Sequence, residues 1–418
     1  MLATLRRGAH RDACDAGCEV TINICRAAAS TKAMASLVLV VSLTWIGVFA
    51  QSTAGAGDPL PGITPREFEE FRIGLDDFRE IEQPSEGLGP LFNGAGCAAC
   101  HNVPVTGGIT PMTEMRAGHR DADGTFHVVG FTTLFQMFSI PDHRCQAVMP
   151  AEVNVIARRM PIPLFGAGLV EAVPDETLLA LEDPFDRDRD GISGRAAIVI
   201  DVATGQRRVG RFGWKAQIAT LLTFSGDAYT NEMGITNDVF PLEPLGGISE
   251  ARLRECDLVK DPEDLVDPRT GKRAIDNFEA FMKFLAPLPR GPITDEVRTG
   301  EQVFTAIGCG SCHTPTLTTG ANPSAALNRK ALSLFSDLLL HEVGTGDGIE
   351  QGAAQQNEIR TPALWGLRLR RPLMHDGSAP TVSDALRQHG GEASEVMGRY
   401  RAASEQMRLA LLAFLDSL

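Results

Sequence analysis

The stretch Gly96-Cys97-Ala98-Ala99-Cys100-His101 carries two cysteines three positions apart, with a histidine directly after the second. It returns as Gly308-Cys309-Gly310-Ser311-Cys312-His313. This spacing is the attachment pattern for c-type haem. Both thiols can add to haem vinyl groups, and the adjacent histidine, His101 or His313, then faces the iron as proximal ligand. Each copy has Gly before its first cysteine and Phe five residues upstream of it, Phe92 and Phe304. The alternatives for a Cys-x-x-Cys pair are a zinc site or a redox dithiol. A structural zinc site would need more Cys or His neighbours near each pair.

The rest of the chain suits such a cofactor protein. At 418 residues it has room for two or three domains. A hydrophobic content of 43% and a charged content of 22% describe a globular protein with a real core. The formal charge of −14 disfavours a nucleic-acid partner. A basic redox partner or a small neutral substrate is compatible with that sign. Aromatic residues make up 6%, so haem would fill core volume that rings otherwise occupy.

The N-terminal region reads as an export segment. Lys32 precedes an apolar run from Ala35 to Ala50, and Val48-Phe49-Ala50 and Ala54-Gly55-Ala56 both offer small-residue cleavage sites. The run is short for a membrane span, which needs about 20 apolar residues. Membrane contact is therefore expected only if the segment stays uncleaved as an anchor. Residues 1–33 carry arginines, acids, Cys14, Cys18 and Cys25, which places the start of the signal at Met34. The expected compartment is the periplasm. Of the nine cysteines, three lie upstream and four in the motifs, leaving Cys145 and Cys256. An oxidising compartment favours their pairing as a disulfide; two buried free thiols are the alternative.

Taken in order, residues 1–50 are extension and signal, and residues 51–64 a Gly-, Ala-, Ser- and Pro-rich flexible linker. Thr64-Pro65-Arg66-Glu67 opens a helix running to about Ile81. Residues 118–150 hold His119, His127 and His143 among loops and short strands. Asp186, Asp188 and Asp190 alternate ahead of Gly191 like the start of a calcium loop, but position twelve is Ala197 rather than a bidentate Glu. A solvated acidic turn is the other reading. Trp214 reads by default as packing, and Glu232 as a solvated loop carboxylate. Helices are expected over Ile275–Leu285, from Thr294 to the second motif, and over residues 403–418. Pro287 to Pro292 marks the best boundary, giving an N-terminal haem domain over 65–290 and a cytochrome c domain over 291–418. The fold class expected is mainly α: two cytochrome c-like haem domains, the first with loop-rich and short β insertions. Met374, His375 and His389 are the candidates for sixth ligand of the second iron; Met raises its potential and a second His lowers it.

With both haem motifs, Arg360-Thr361-Pro362-Ala363-Leu364-Trp365-Gly366-Leu367 and Met374-His375-Asp376-Gly377, the chain over residues 65–418 resembles the bacterial dihaem oxidoreductases. The specific likeness is to the thiol oxidoreductase or dihaem peroxidase family, related to dihaem cytochrome c peroxidase. The resemblance implies that the sixth ligand of the C-terminal haem lies about fourteen residues beyond the His-Asp-Gly, which reaches His389 rather than Met374. It also implies a Trp between the haems, matched by Trp214, and a distal acid in Glu-Met-Gly, matched by Glu232. The function it implies is a peroxidase-like oxidoreductase acting on peroxide or dioxygen, with a small cytochrome c or cupredoxin as redox partner. The alternatives are a pure electron-transfer dihaem cytochrome and a dioxygen-dependent oxygenase on an organic substrate.

Overall fold

Thr64 accepts a hydrogen bond from Glu67 N while Glu67 reaches back to Thr64 N, a capping box that starts a helix over Pro65–Phe78. Its apolar side packs on the Ala274–Phe284 helix. The two backbones cross closely at Gly74, where a Cβ would stand 2.1 Å from the Asn277 carbonyl oxygen. The same device recurs toward the C-terminus. The Asp295–Ile307 helix crosses Glu405–Leu415 at Gly300, where a Cβ would stand 1.9 Å from Ala410 O. Only glycine permits either approach. Each crossing carries a phenylalanine beside a motif histidine: Phe78 at 6.2 Å from His101 and Phe304 at 6.4 Å from His313, ring centre to ring centre. Phe78, not Phe92, is thus the counterpart of Phe304; Phe92 packs 5.9 Å from Phe138 instead.

The computed structural model describes residues 54–418, which belong to one compact unit. The export segment at Ala35–Ala50, the cleavage position at Val48-Phe49-Ala50 and Cys14, Cys18 and Cys25 lie outside the described residues. No helix among the described residues is long and apolar enough to cross a membrane. The larger apolar core draws on residues from Ala54 to Leu339, and a second one on residues from Val297 to Leu418.

Two expectations need correction. The chain is not mainly α: it is 31% helical and 13% strand, with ten α-helices among the described residues and several small sheets. Helix signals were easy to read because caps and apolar stripes are local. The strands are short and paired across distance. The largest sheet is built on Glu114–Arg120, which pairs antiparallel with Phe126–Val128, Leu134–Phe135 and Val155–Arg159. Nor is the described part of the 51–64 linker loose. Leu60 is buried, its N–H donates to Phe284 O at 2.7 Å, and Ala286 N donates to Asp58 O at 3.0 Å. A single buried leucine with paired backbone groups overrides a composition that reads as flexible.

Cys145 and Cys256 are joined, their Cα atoms 5.7 Å apart and 111 residues apart in sequence. On the chain-entropy account a loop of that length restricts the unfolded chain by about 4–5 kcal/mol.

Gly300→Ala tests the helix crossing. The added methyl must push the two backbones apart, and overpacking of this kind costs about 1–3 kcal/mol. Chemical denaturation should show that loss, whereas Gly398→Ala, with open space at its Cβ, should not.

Candidate functional site

Each motif folds as a single 3-10 turn, Cys97–Ala99 and Cys309–Ser311, and opens on a cavity. The first cavity has about 1290 Å³ of space and the second about 1220 Å³, both partly open to solvent. Their walls are mainly apolar. Cys97, Cys100 and His101 line the first, and Cys309, Cys312 and His313 the second. Burial pushes the Cys97, Cys100 and Cys309 thiols up to about 12 and both histidines down to about 4. The thiols are therefore protonated and the imidazoles neutral. His101 Nδ1 lies 3.0 Å from Gly108 O, and His313 Nδ1 lies 3.0 Å from Phe335 O. A neutral ring that donates through Nδ1 keeps a lone pair on Nε2, the form that binds a metal.

The two cavities differ across from those histidines. In the first stands a carboxyl pair. Glu232 is on the last turn of the Leu221–Met233 helix, so it is not a solvated loop residue. Its carboxyl is hydrogen-bonded to Glu114 and accepts from Asn93 Nδ2 at 3.0 Å. Glu114 and Arg116 share one face of the central strand and pair at 2.7 Å. Burial and the neighbouring Glu114 hold Glu232 well above the usual carboxylate range. Glu114, although burial opposes its charge, is held low by Arg116. Two carboxyls in contact in a largely apolar site resist ionising together, and Glu232 is the one on which burial and its neighbour favour the proton.

In the second cavity His389 shares the wall with His313 and depresses its protonation, while its own Nδ1 lies 2.8 Å from Ala385 O. Met374 and His375 reach the same cavity. Of the three, His389 alone repeats the Nδ1-to-carbonyl bond of the motif histidines. Trp214 lines both cavities. Its Nε1–H donates to Met160 O at 2.8 Å, Met160 N donates to His375 O at 2.6 Å, and the indole lies edge-on to the His375 ring at 6.2 Å.

The residues present fit a haem. Arg360 and Arg370 line the second cavity, and burial lowers both guanidinium groups to about 10. Among the described residues no carboxylate pairs with either one, so the cavity is short of the anionic charge that two propionates would bring.

Sequence reading missed Glu114 and Arg116, whose alternation on a strand was the available signal. It also missed His341, held between Asp337 and Glu392 at 2.8 Å each and 3.7 Å from Cys312 Sγ. His341 is held well above its usual range: burial opposes its charge, but Asp337, Cys312 and Glu392 together outweigh it. His119 and His127 pair with Asp121 on the insertion and line neither cavity. Asp186, Asp188 and Asp190 do come together, their oxygens within 4.8 Å of one another.

The proton shared by Glu232 and Glu114 is directly observable. At neutral pH the infrared difference spectrum, parent minus Glu232→Gln, should show a protonated carboxyl band. Its absence would place the proton elsewhere.

Comparison with known proteins agrees with this geometry. Residues 144–418 match the family described as "Di-haem oxidoreductase, putative peroxidase". No match was found among the curated proteins. A search of solved structures returns the hydrazine synthase of Kuenenia stuttgartiensis, at 14% identity and TM-score 0.40 over 96% of this chain and 100% of that one. A variant of the diheme peroxidase BthA from Burkholderia thailandensis matches at 16% identity and TM-score 0.40 over 88% of each chain. A MauG-like protein associated with microbial copper homeostasis matches at 17% identity and TM-score 0.32, over 67% of this chain and 95% of its own. Two cysteine–histidine cavities and a family match over most of the chain lead to one conclusion: the protein belongs to the di-haem oxidoreductase family, and two haems are its cofactors.

Proposed function

We propose that the chain is an exported c-type di-haem oxidoreductase that reduces peroxide, with the first cavity as the reacting site and the second as the electron store. The inequivalence of the two cavities carries this reading: one is faced by a buried carboxyl pair, the other by His389. When bound, each haem would supply one-electron chemistry, and the first cavity would admit peroxide or dioxygen. Cys97, Cys100 and His101 would hold the first haem. Cys309, Cys312 and His313 would hold the second, together with His389.

Reducing one hydrogen peroxide to two waters takes two electrons and two protons. Glu232, protonated at rest, can lend a proton to the departing oxygen. Asn93 fixes its orientation, and Glu114, kept anionic by Arg116, holds the charge that returns a proton to it. Trp214, on the wall of both cavities, is the through-protein route for the electrons. A pure relay would have no use for the buried carboxyl pair, which burial makes costly. Export is supported by the Cys145–Cys256 disulfide. A small basic cytochrome c or cupredoxin would suit the −14 charge as electron donor.

Cys97→Ala and Cys309→Ala should each remove one covalent haem per chain by haem stain and iron analysis; retention of both would refute the attachment. Glu232→Gln should slow peroxide reduction by about 10²–10⁴-fold with both haem spectra unchanged. In the parent, activity should fall as pH rises past the point where Glu232 loses its proton. Glu114→Gln removes the charge that raises Glu232, so it should move that fall to lower pH. Unchanged turnover in Glu232→Gln would remove the residue from the reaction.

A further inference from the structure

Away from both cavities, four carboxylates converge beside the disulfide. Oxygens of Glu243, Asp257, Asp261 and Glu263 all lie within 4.8 Å of one another. Glu243 is 6% exposed, and neither of its carboxylate oxygens has a hydrogen-bond partner. Glu263 Oε1 is buried and unpartnered as well. The arginines of the neighbouring segments are engaged elsewhere: Arg252 with Glu255, Arg254 with Glu250, and Arg273 with Asp276 and Asp238. Among the described residues none of the four acids has a basic ion-pair partner. His143, whose charge acts on Asp257, falls outside the cluster, so the donor set is oxygen only.

A buried carboxylate with no donor and three acids around it is unfavourable by itself. Thr236 holds the group in place: its N–H donates to Glu263, and its one hydroxyl lies within hydrogen-bond reach of both Glu263 and Asp261. Hard divalent cations take six to eight oxygen ligands, carboxylates foremost. We propose that Glu243, Asp257, Asp261 and Glu263 form a structural binding site for a divalent cation, calcium by the all-oxygen donor set.

The acidic turn at Asp186, Asp188 and Asp190 differs. Its carboxylates are largely exposed and accept backbone N–H groups from Gly191, Asp190 and Ile192. The site at Glu243 is also placed to matter. Thr236 lies two residues beyond Gly234, which ends the helix carrying Glu232. Asp264, next to Glu263, caps the Ala274–Phe284 helix through Ala274 N and Ile275 N. An ion here would tie the 236–264 loop to two helices of the first haem cavity.

The test uses the haem-loaded protein, stripped with EGTA and titrated with calcium chloride. Equilibrium dialysis should find a calcium ion retained per chain, and the melting temperature should rise. Glu243→Gln should weaken binding at least tenfold. In EGTA that variant should melt at or above the parent, because the isosteric amide removes the repulsion; with calcium the order should reverse. Asp257→Asn, at a half-buried position, should weaken binding in the same way and serves if Glu243→Gln does not fold. Asp186→Asn with Asp188→Asn should bind as the parent does. No retained calcium, or binding that survives Glu243→Gln and Asp257→Asn but is lost in the Asp186/Asp188 double variant, would overturn the proposal.

Discussion

Two hydrogen bonds set the terms for the rest of the molecule: His101 Nδ1 to Gly108 O and His313 Nδ1 to Phe335 O. An imidazole can offer Nε2 to iron only if it is neutral and its other nitrogen is tied down. Burial supplies the first condition and a backbone carbonyl the second. The carbonyl must then be held in turn. At the first site the Asn102–Gly108 loop folds back on itself, with Gly107 N donating to His101 O and Gly108 so close to Val103 that a Cβ would stand 1.9 Å from its oxygen. The helix crossings at Gly74 and Gly300 bring Phe78 and Phe304 against the same rings. The repeated glycine, phenylalanine and histidine are one arrangement built twice.

What separates the two sites is the charge each tolerates. The first cavity contains a complete polar set, Glu232, Glu114 and Arg116, in which one carboxyl keeps a proton because its neighbour keeps a charge. The second is short of anions, with Arg360 and Arg370 in no ion pair among the described residues, and His389 shares its wall with His313. Electrostatics in a largely apolar site bears strongly on protonation, since interactions are screened less there than in bulk water. Trp214 touches both cavities and is hydrogen-bonded toward His375 through Met160, so the two sites are linked by one packed side chain and one short backbone segment.

The sequence made the paired motifs, the long helices and the disulfide partners legible, because each depends on fixed local spacing or on simple counting. Thr64 with Glu67, or Thr294 with Val297, announces a helix within four residues. It did not reveal the balance of helix and strand, because Glu114–Arg120 becomes a strand through partners as distant as Arg159, which pairs with Glu114. The same distance hid Glu114. Its role depends on meeting Glu232 across the cavity, and only the fold brings a strand of the insertion to the end of the Leu221–Met233 helix. Glu232 and Trp214 stood out by resemblance, whereas their own surroundings in sequence read as a loop acid and a packing residue. The four-carboxylate cluster was invisible for a related reason: Glu243, Asp257, Asp261 and Glu263 follow no known loop spacing, and it is the burial of Glu243 that gives them meaning.

The central claim is that the two haem sites are unlike, one open before a carboxyl pair and one closed by His389. Electron paramagnetic resonance of the fully oxidised protein, before and after one equivalent of peroxide, tests it most directly. The account predicts one high-spin and one low-spin ferric signal in equal amounts, with loss of the high-spin signal in the parent on addition of peroxide. Two low-spin signals, both indifferent to peroxide, would contradict it.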